Sequence, residues 1–373
     1  MPEGPGSGDG GDVRHLLRRD PRRRGTRGEG VDVERTRLAP VLALAPVLAV
    51  GAVGAVALGT ARARGRRPPW QDPTRRLERA GLLEVGTAGD GPPLVLLHGL
   101  VGSGRFWGAD YDVLASDHRL VVPDLLGFGR SERPSGGYGP DEHADAVAGA
   151  LHALGIDRPA TVGAHSLGTV VALRLAARHP HLVASITAFG PPLYAGRAEA
   201  MRRIGAASPL AKAFALPGSL AERACRWMCE HHRAAAALAR WSHPGLPPEL
   251  AADAVEHTWH SYSQTLDRCL LTGEPAAWLE DISVPVSLIA GTRDRVVDLD
   301  FLDELAHRHE TVGLERWEGD HRIPLTDPRR CADAILRRPP APRPGDPLGA
   351  LPRGRGTLMP PGGSDQHADT PGT

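Results

Sequence analysis

Ser166 stands in the run Gly163-Ala164-His165-Ser166-Leu167-Gly168-Thr169, after the short apolar Ala160-Thr161-Val162 and before a helical pattern carried by Val170, Val171, Leu173 and Leu175. A strand, a sharp turn and a helix in that order constrain the fold more than any other feature of the chain. The residues two positions either side of the serine, Ala164 and Gly168, are small. A turn that holds a serine in strained backbone geometry needs that, because larger neighbours collide. Ser166 is therefore expected to stand exposed at the top of a sheet.

A serine between small residues recurs by chance in an alanine- and glycine-rich chain, so the companions matter. Pro93-Leu94-Val95-Leu96-Leu97 reads as a fully buried strand and runs into His98-Gly99-Leu100-Val101-Gly102-Ser103. A glycine-bearing turn there suits the presentation of a backbone N–H to an oxyanion. Leu120-Val121-Val122-Pro123 leads into Asp124-Leu125-Leu126-Gly127-Phe128-Gly129-Arg130-Ser131, a second buried strand ending in a glycine loop.

With these three motifs in order, residues 80–338 resemble the α/β-hydrolase superfamily, in particular its cap-bearing serine esterase and carbon–carbon hydrolase branch. The departure is Ala164, where the family pattern usually has glycine. The resemblance implies a mostly parallel α/β sheet with helices on both faces and a helical cap inserted after the sixth strand. It also implies the chain order nucleophile, acid, histidine. Val284 to Ala290 reads as a strand, and Gly291-Thr292-Arg293-Asp294 at its end matches the family's acid turn, which makes Asp294 the expected acid. Asp298 is a fallback just past that turn, whereas the strand Val183 to Ala188 runs into Phe189-Gly190-Pro191-Pro192 without a carboxylate. Of seventeen histidines, His321 is singled out by its place in Glu318-Gly319-Asp320-His321, after the short strand Val312 to Trp317.

The chemistry needs these residue types for reasons independent of any family. A serine hydroxyl is a poor nucleophile at neutral pH, so an imidazole must take its proton and return it to the leaving group. A carboxylate on the far ring nitrogen fixes the tautomer and stabilises the imidazolium. Charge developing on the carbonyl oxygen needs pre-aimed donors, for which the backbone N–H groups of Leu100 and Leu167 are the candidates. The implied reaction is acyl transfer, with water as the usual acceptor. A carboxylic ester is the leading substrate class, and a carbon–carbon bond hydrolase or an acyltransferase on the same triad are the rivals. A non-catalytic binding protein on this fold is the alternative of another class. No cofactor is implied. His98 and His165 are read as packing or orienting their loops, and Asp124 and Arg130 as holding their glycine loop together.

Residues 192–283 are too many for a simple connection and are expected to form the helical cap. Its helical stretches are Ala206 to Leu216, Leu220 to Met228, Ala234 to Ala239 and Leu250 to Tyr262. In a chain with 4% aromatic residues, Phe214, Trp227, Trp241, Trp259 and Tyr262 all fall there. They form either a wall for an apolar substrate or the packing of cap against core. Cys225 and Cys229 lie one helical turn apart, but with His231 or His232 the spacing matches no zinc pattern, so buried thiols and no metal are expected.

Residues 1–37, rich in glycine, arginine and acidic groups, are expected to be disordered. From Leu38 to Gly59 about twenty-two residues carry no charge, enough to cross a bilayer, so 38–60 is a candidate membrane anchor. Pro40, Pro46 and a composition of mostly Ala, Val and Gly weaken that reading. Arginines crowd both flanks, which leaves the orientation open, and 61–79 reads as a basic linker. With 44 basic and 44 acidic residues the net charge is zero, so no nucleic-acid partner is expected. Residues 339–373 read as a flexible Pro/Gly-rich tail. The oligomeric state is left open.

Overall fold

The computed structural model describes residues 70–207, 219–242 and 246–337. The expected leader, membrane anchor and tail lie outside the described residues, as do most of the stretch Ala206 to Leu216 and the aromatic Phe214. Among the described residues, no helix is long and apolar enough to cross a membrane.

The strands are β1 (Arg76–Ala80), β2 (Leu83–Ala88), β3 (Pro93–Leu97), β4 (Arg119–Pro123), β5 (Ala160–His165), β6 (Val183–Phe189), β7 (Val286–Gly291) and β8 (Val312–Trp317). They form one eight-stranded sheet in the order β1-β2-β4-β3-β5-β6-β7-β8. β1 with β2 and β2 with β4 pair antiparallel, and every later pairing is parallel. A parallel sheet has to be covered on both faces, which is why its strands read as unbroken apolar runs rather than alternating ones. The pleat still divides each run between two cores. Val95 and Leu97 of β3 join the cluster containing Val170, Leu173 and Leu288, while Leu94 and Leu96 join Trp107, Tyr111 and Ile335 on the other face.

Helices α1 (Pro140–Ala153) and α2 (Leu167–Arg178) cover the first of these faces. The cap follows β6 as α3 (Arg197–Ala207), α4 (Ser219–Glu230), α5 (His232–Ser242), α6 (Pro248–Asp253), α7 (Trp259–Thr265), a π turn at Leu266–Leu270, and α8 (Glu274–Ala277). After β7 come α9 (Leu299–Arg308), then β8, α10 (Ile323–Thr326) and α11 (Pro328–Leu336). The sheet and cap agree with the expected class. The stretch Leu250 to Tyr262 is two helices rather than one, because Thr258 accepts from the Ser261 N–H at 3.1 Å and starts a new helix there. The scarce aromatics do not line one wall: Tyr262 is buried and Trp259 packs on the core, whereas Trp241 is 70% exposed.

The basic linker expected over 61–79 is corrected at its C-terminal end, where Arg76–Ala80 is β1. Arg75 is buried, its Nε donating to Asp112 at 2.8 Å and its other nitrogens to the carbonyls of Gly104 (3.3 Å), Trp107 and Gly108 (3.2 Å). One arginine among many is indistinguishable in sequence from its solvated neighbours; its acceptors lie some thirty residues away. Arg75→Ala leaves the buried carbonyls of Gly104, Trp107 and Gly108 without their donor and takes the counter-charge from Asp112, which keeps only its Thr74 donors. It is expected to destabilise the fold by about 3–5 kcal/mol, read as a lower denaturant midpoint at unchanged slope. A midpoint equal to wild type would return Arg75 to the linker.

Candidate active site

The site is assembled at the C-terminal ends of the parallel strands, where open α/β sheets place their ligand crevices. At the end of β5 the chain turns through Ser166 with φ 50° and ψ −118°, straight into α2. Among the described residues, the only other non-glycine with positive φ is Val101, at 54°. It lies in the turn after β3, closed by the Gly102 N–H donating to Gly99 O at 3.1 Å. A β-branched residue there is an outlier that the surroundings must enforce. The two strained residues belong to two loops in contact, since a Cβ added at Gly99 would lie 3.3 Å from the Ser166 Cβ. Gly168 allows the close fit of α2 against the end of β3, as a Cβ there would meet the Leu97 carbonyl oxygen at 2.4 Å.

Leu100 occupies the first inner position of that strained turn, and Leu167 is the first residue of α2. The N–H groups of a helix's first turn have no partner within the helix, so the Leu167 donor is available to a ligand on geometric grounds.

Asp294 and His321 are brought together across β7 and β8. His321 Nδ1 donates to Asp294 Oδ2 at 2.7 Å, and the Asp294 side chain is fully buried. The other carboxylate oxygen accepts from the Val296 N–H at 2.8 Å, which fixes the rotamer. Gly190, at φ 59°, makes room for the pair: a Cβ there would stand 2.9 Å from His321 Nδ1 and 3.2 Å from Asp294 Oδ2. Ser166 shares this corner through its neighbour, because His165 Nε2 donates to the His321 carbonyl at 2.9 Å, with the two rings 4.9 Å apart. The fallback Asp298 is engaged elsewhere, accepting from Arg203 at 2.9 Å and capping α9 through the Phe301 N–H.

His98 and His165 hold loops together, in line with the sequence reading. His98 Nε2 accepts from the Leu125 N–H at 2.8 Å and Nδ1 donates to Gly99 O at 2.7 Å, tying the turn after β3 to the loop after β4. His165 stacks on Phe106 at 4.5 Å. Asp124 accepts from the backbone N–H groups of Gly104 (2.6 Å) and Arg130 (2.7 Å), so the loop-holding role of residue 130 belongs to its main chain. Sequence reasoning missed Gly190, Val101 and Phe106. The first two carry a signal only as backbone angles, and the third only as a partner.

Burial sets the charge states around the site. It pushes His143 and His165 down to about 3 and His257 to about 4, so all three are neutral in the fold. An unfolded histidine takes up a proton near pH 6.5. Below that pH the unfolded chain binds protons that the native state refuses, so stability is present above about 6.5 and falls as the pH drops. Each histidine contributes a slope of about 1.4 kcal/mol per pH unit, roughly 4 kcal/mol per unit for the three together. Against a typical stability of about 5–15 kcal/mol, cooperative unfolding is expected near pH 5. Near-ultraviolet circular dichroism against pH checks this, and a native signal held to pH 4 would refute it.

Residues 92–217 match the family model described as the alpha/beta hydrolase fold. An uncharacterised protein of Mycobacterium tuberculosis is 27% identical over 270 residues, covering 67% of this chain and 76% of its own. The 2-hydroxymuconate semialdehyde hydrolase of a Pseudomonas species is 39% identical over 121 residues, 31% of this chain and 42% of that enzyme. Among solved structures, an esterase from Rhodococcus sp. ECU1013 superposes with a TM-score of 0.53 at 24% identity, over 68% of this chain and 92% of that one. The eight-stranded, mostly parallel sheet agrees with the fold that the family model and the solved structure share. The described residues have the α/β-hydrolase fold.

Proposed function

We propose that the protein is a serine hydrolase that cleaves carboxylic esters of small or medium apolar acyl groups through an acyl-enzyme. The observation that carries this reading is that the two strained non-glycine residues, Ser166 and Val101, sit at the elbow and at the facing turn. Backbone strain persists only where the surroundings over-determine it, and nucleophile and oxyanion loops are such places. In this mechanism Ser166 Oγ attacks the ester carbonyl while His321 Nε2 takes its proton. The Leu100 and Leu167 N–H groups stabilise the tetrahedral oxyanion. His321 then protonates the leaving alcohol, and water deacylates the enzyme by the same route in reverse. Asp294, hydrogen-bonded to Nδ1, holds the tautomer that leaves Nε2 free to accept.

The full chain is expected to hydrolyse p-nitrophenyl esters, with a chain-length optimum between acetyl and dodecanoyl that sizes the space under the cap. Folded protein inactive at every length, yet labelled by a fluorophosphonate at Ser166, would shift the assignment to carbon–carbon hydrolysis. The 39% identity to 2-hydroxymuconate semialdehyde hydrolase supports that second reading. Failure to label at all would favour a binding protein.

A further inference from the structure

Helix α4 turns Cys225 and Cys229 to the same side, one turn apart, with their sulfur atoms 4.0 Å from each other. The helix break between α6 and α7 carries His257 to them, placing Nε2 3.6 Å from Cys225 Sγ. The three donor atoms lie within 4.8 Å of one another. Cys225 and His257 are buried, while Cys229 is half-buried.

We propose that Cys225 Sγ, Cys229 Sγ and His257 Nε2 form a binding site for one zinc-class divalent cation, with the fourth position open on the Cys229 side. Two thiolates and an imidazole are the donor set preferred by borderline-soft ions such as Zn²⁺ over Mg²⁺ or Ca²⁺. A tetrahedral zinc with Zn–S of about 2.3 Å and Zn–N of about 2.05 Å requires sulfurs roughly 3.8 Å apart and sulfur and nitrogen roughly 3.6 Å apart. The Cys225–Cys229 and Cys225–His257 separations, at 4.0 and 3.6 Å, already meet that requirement. The remaining Cys229–His257 gap closes by rotation of the half-buried Cys229 side chain. Binding deprotonates both thiols and releases two protons to water as two Zn–S bonds and one Zn–N bond form.

The two histidines nearest in sequence do not complete the set. His231 stacks on Trp227 at 4.9 Å, and His232 donates through Nδ1 to the Val255 carbonyl at 3.1 Å. The third donor lies in a different segment, at a spacing that no zinc pattern of adjacent residues covers. That segment is fastened to the core: His257 forms an isolated antiparallel bridge with Phe128, and the neighbouring Glu256 carbonyl accepts from Arg133 at 3.3 Å. A bound ion would therefore staple cap helix α4 to a segment already paired with the loop after β4, fixing the cap over the sheet. This proposal is independent of the ester-hydrolase reading.

The test uses the full chain, reduced and freed of metal with a chelator, then titrated with Co²⁺. One equivalent is expected to saturate a near-ultraviolet thiolate-to-cobalt charge-transfer band, and Zn²⁺ is expected to displace it. Zn²⁺ should also slow iodoacetamide alkylation of Cys229 by about tenfold or more and raise the thermal midpoint. Losing even an outer-shell partner weakens metal sites by about 10–100-fold, so Cys229→Ser and His257→Gln should each weaken binding by at least about tenfold. Cys331→Ser, remote on α11, should leave it unchanged. The proposal is overturned if folded protein gives neither the band nor alkylation protection, or if the band survives in both variants. It is equally overturned if the chelated protein carries a Cys225–Cys229 disulfide that persists under reductant. Should a variant fail to fold, the wild-type alkylation experiment decides.

Discussion

Ser166→Ala is expected to lower ester hydrolysis by on the order of 10⁴-fold or more and to abolish fluorophosphonate labelling, with the folded state unchanged. The large effect follows from removing the atom that would form the acyl-enzyme in the proposed mechanism. What remains is whatever the oxyanion donors and substrate binding supply by themselves. Stability should change little, because Ser166 holds its place through the backbone: its N–H donates to the Phe189 carbonyl at 3.0 Å, and its carbonyl accepts from Thr169 at 2.8 Å. Alanine keeps both bonds and the positive φ strain. Kinetics on the acetyl to dodecanoyl series, with circular dichroism on the same sample, separates loss of chemistry from loss of fold. A variant retaining a tenth of wild-type activity would sink the covalent mechanism.

Asp294→Asn is expected to reduce kcat by about 10⁴-fold while KM changes little. The amide keeps the size of the carboxyl, and its oxygen can still accept from the Val296 N–H at the position of Oδ1. Its NH₂ then faces His321 Nδ1, where Oδ2 now accepts at 2.7 Å. A donor there forces the imidazole to carry its proton on Nε2, and a protonated Nε2 does not accept from serine. The matching control is Asp298→Asn. Asparagine keeps the cap on α9 and removes only the charge that pairs with Arg203, so stability should fall by about 1 kcal/mol or less and kcat stay near wild type. The reverse ranking of the two variants in kcat would move the acid to Asp298.

Much of the frame was legible because its determinants are local. Pro93–Leu97 appears as a strand over the residues expected, since a short apolar run between turn formers has few other solutions, and Val312–Trp317 is a strand over the expected residues as well. The serine turn is likewise written in neighbouring residues, Gly168 above all. What escaped were features whose partners lie far along the chain and for which no family motif stood in. Arg75 looked like linker because its acceptors, Asp112 and the carbonyls of Gly104, Trp107 and Gly108, come from another segment. The single helical stretch expected over Leu250 to Tyr262 ends at Asp253 and restarts at Trp259, where the Thr258 side chain caps the new helix.

The sequence by itself determined the strands from β3 onward and the turn at Ser166, because periodicity and turn chemistry act over a few residues, whereas Asp294 and His321 were marked only through the resemblance to a family. Only the tertiary structure decided that Gly190 would make room for Asp294 against His321, that Val101 would carry the strain facing the serine, and that His257 would close on Cys225 and Cys229. Those outcomes follow from sheet order and from how the cap returns to the core, which bring together residues that no local pattern relates.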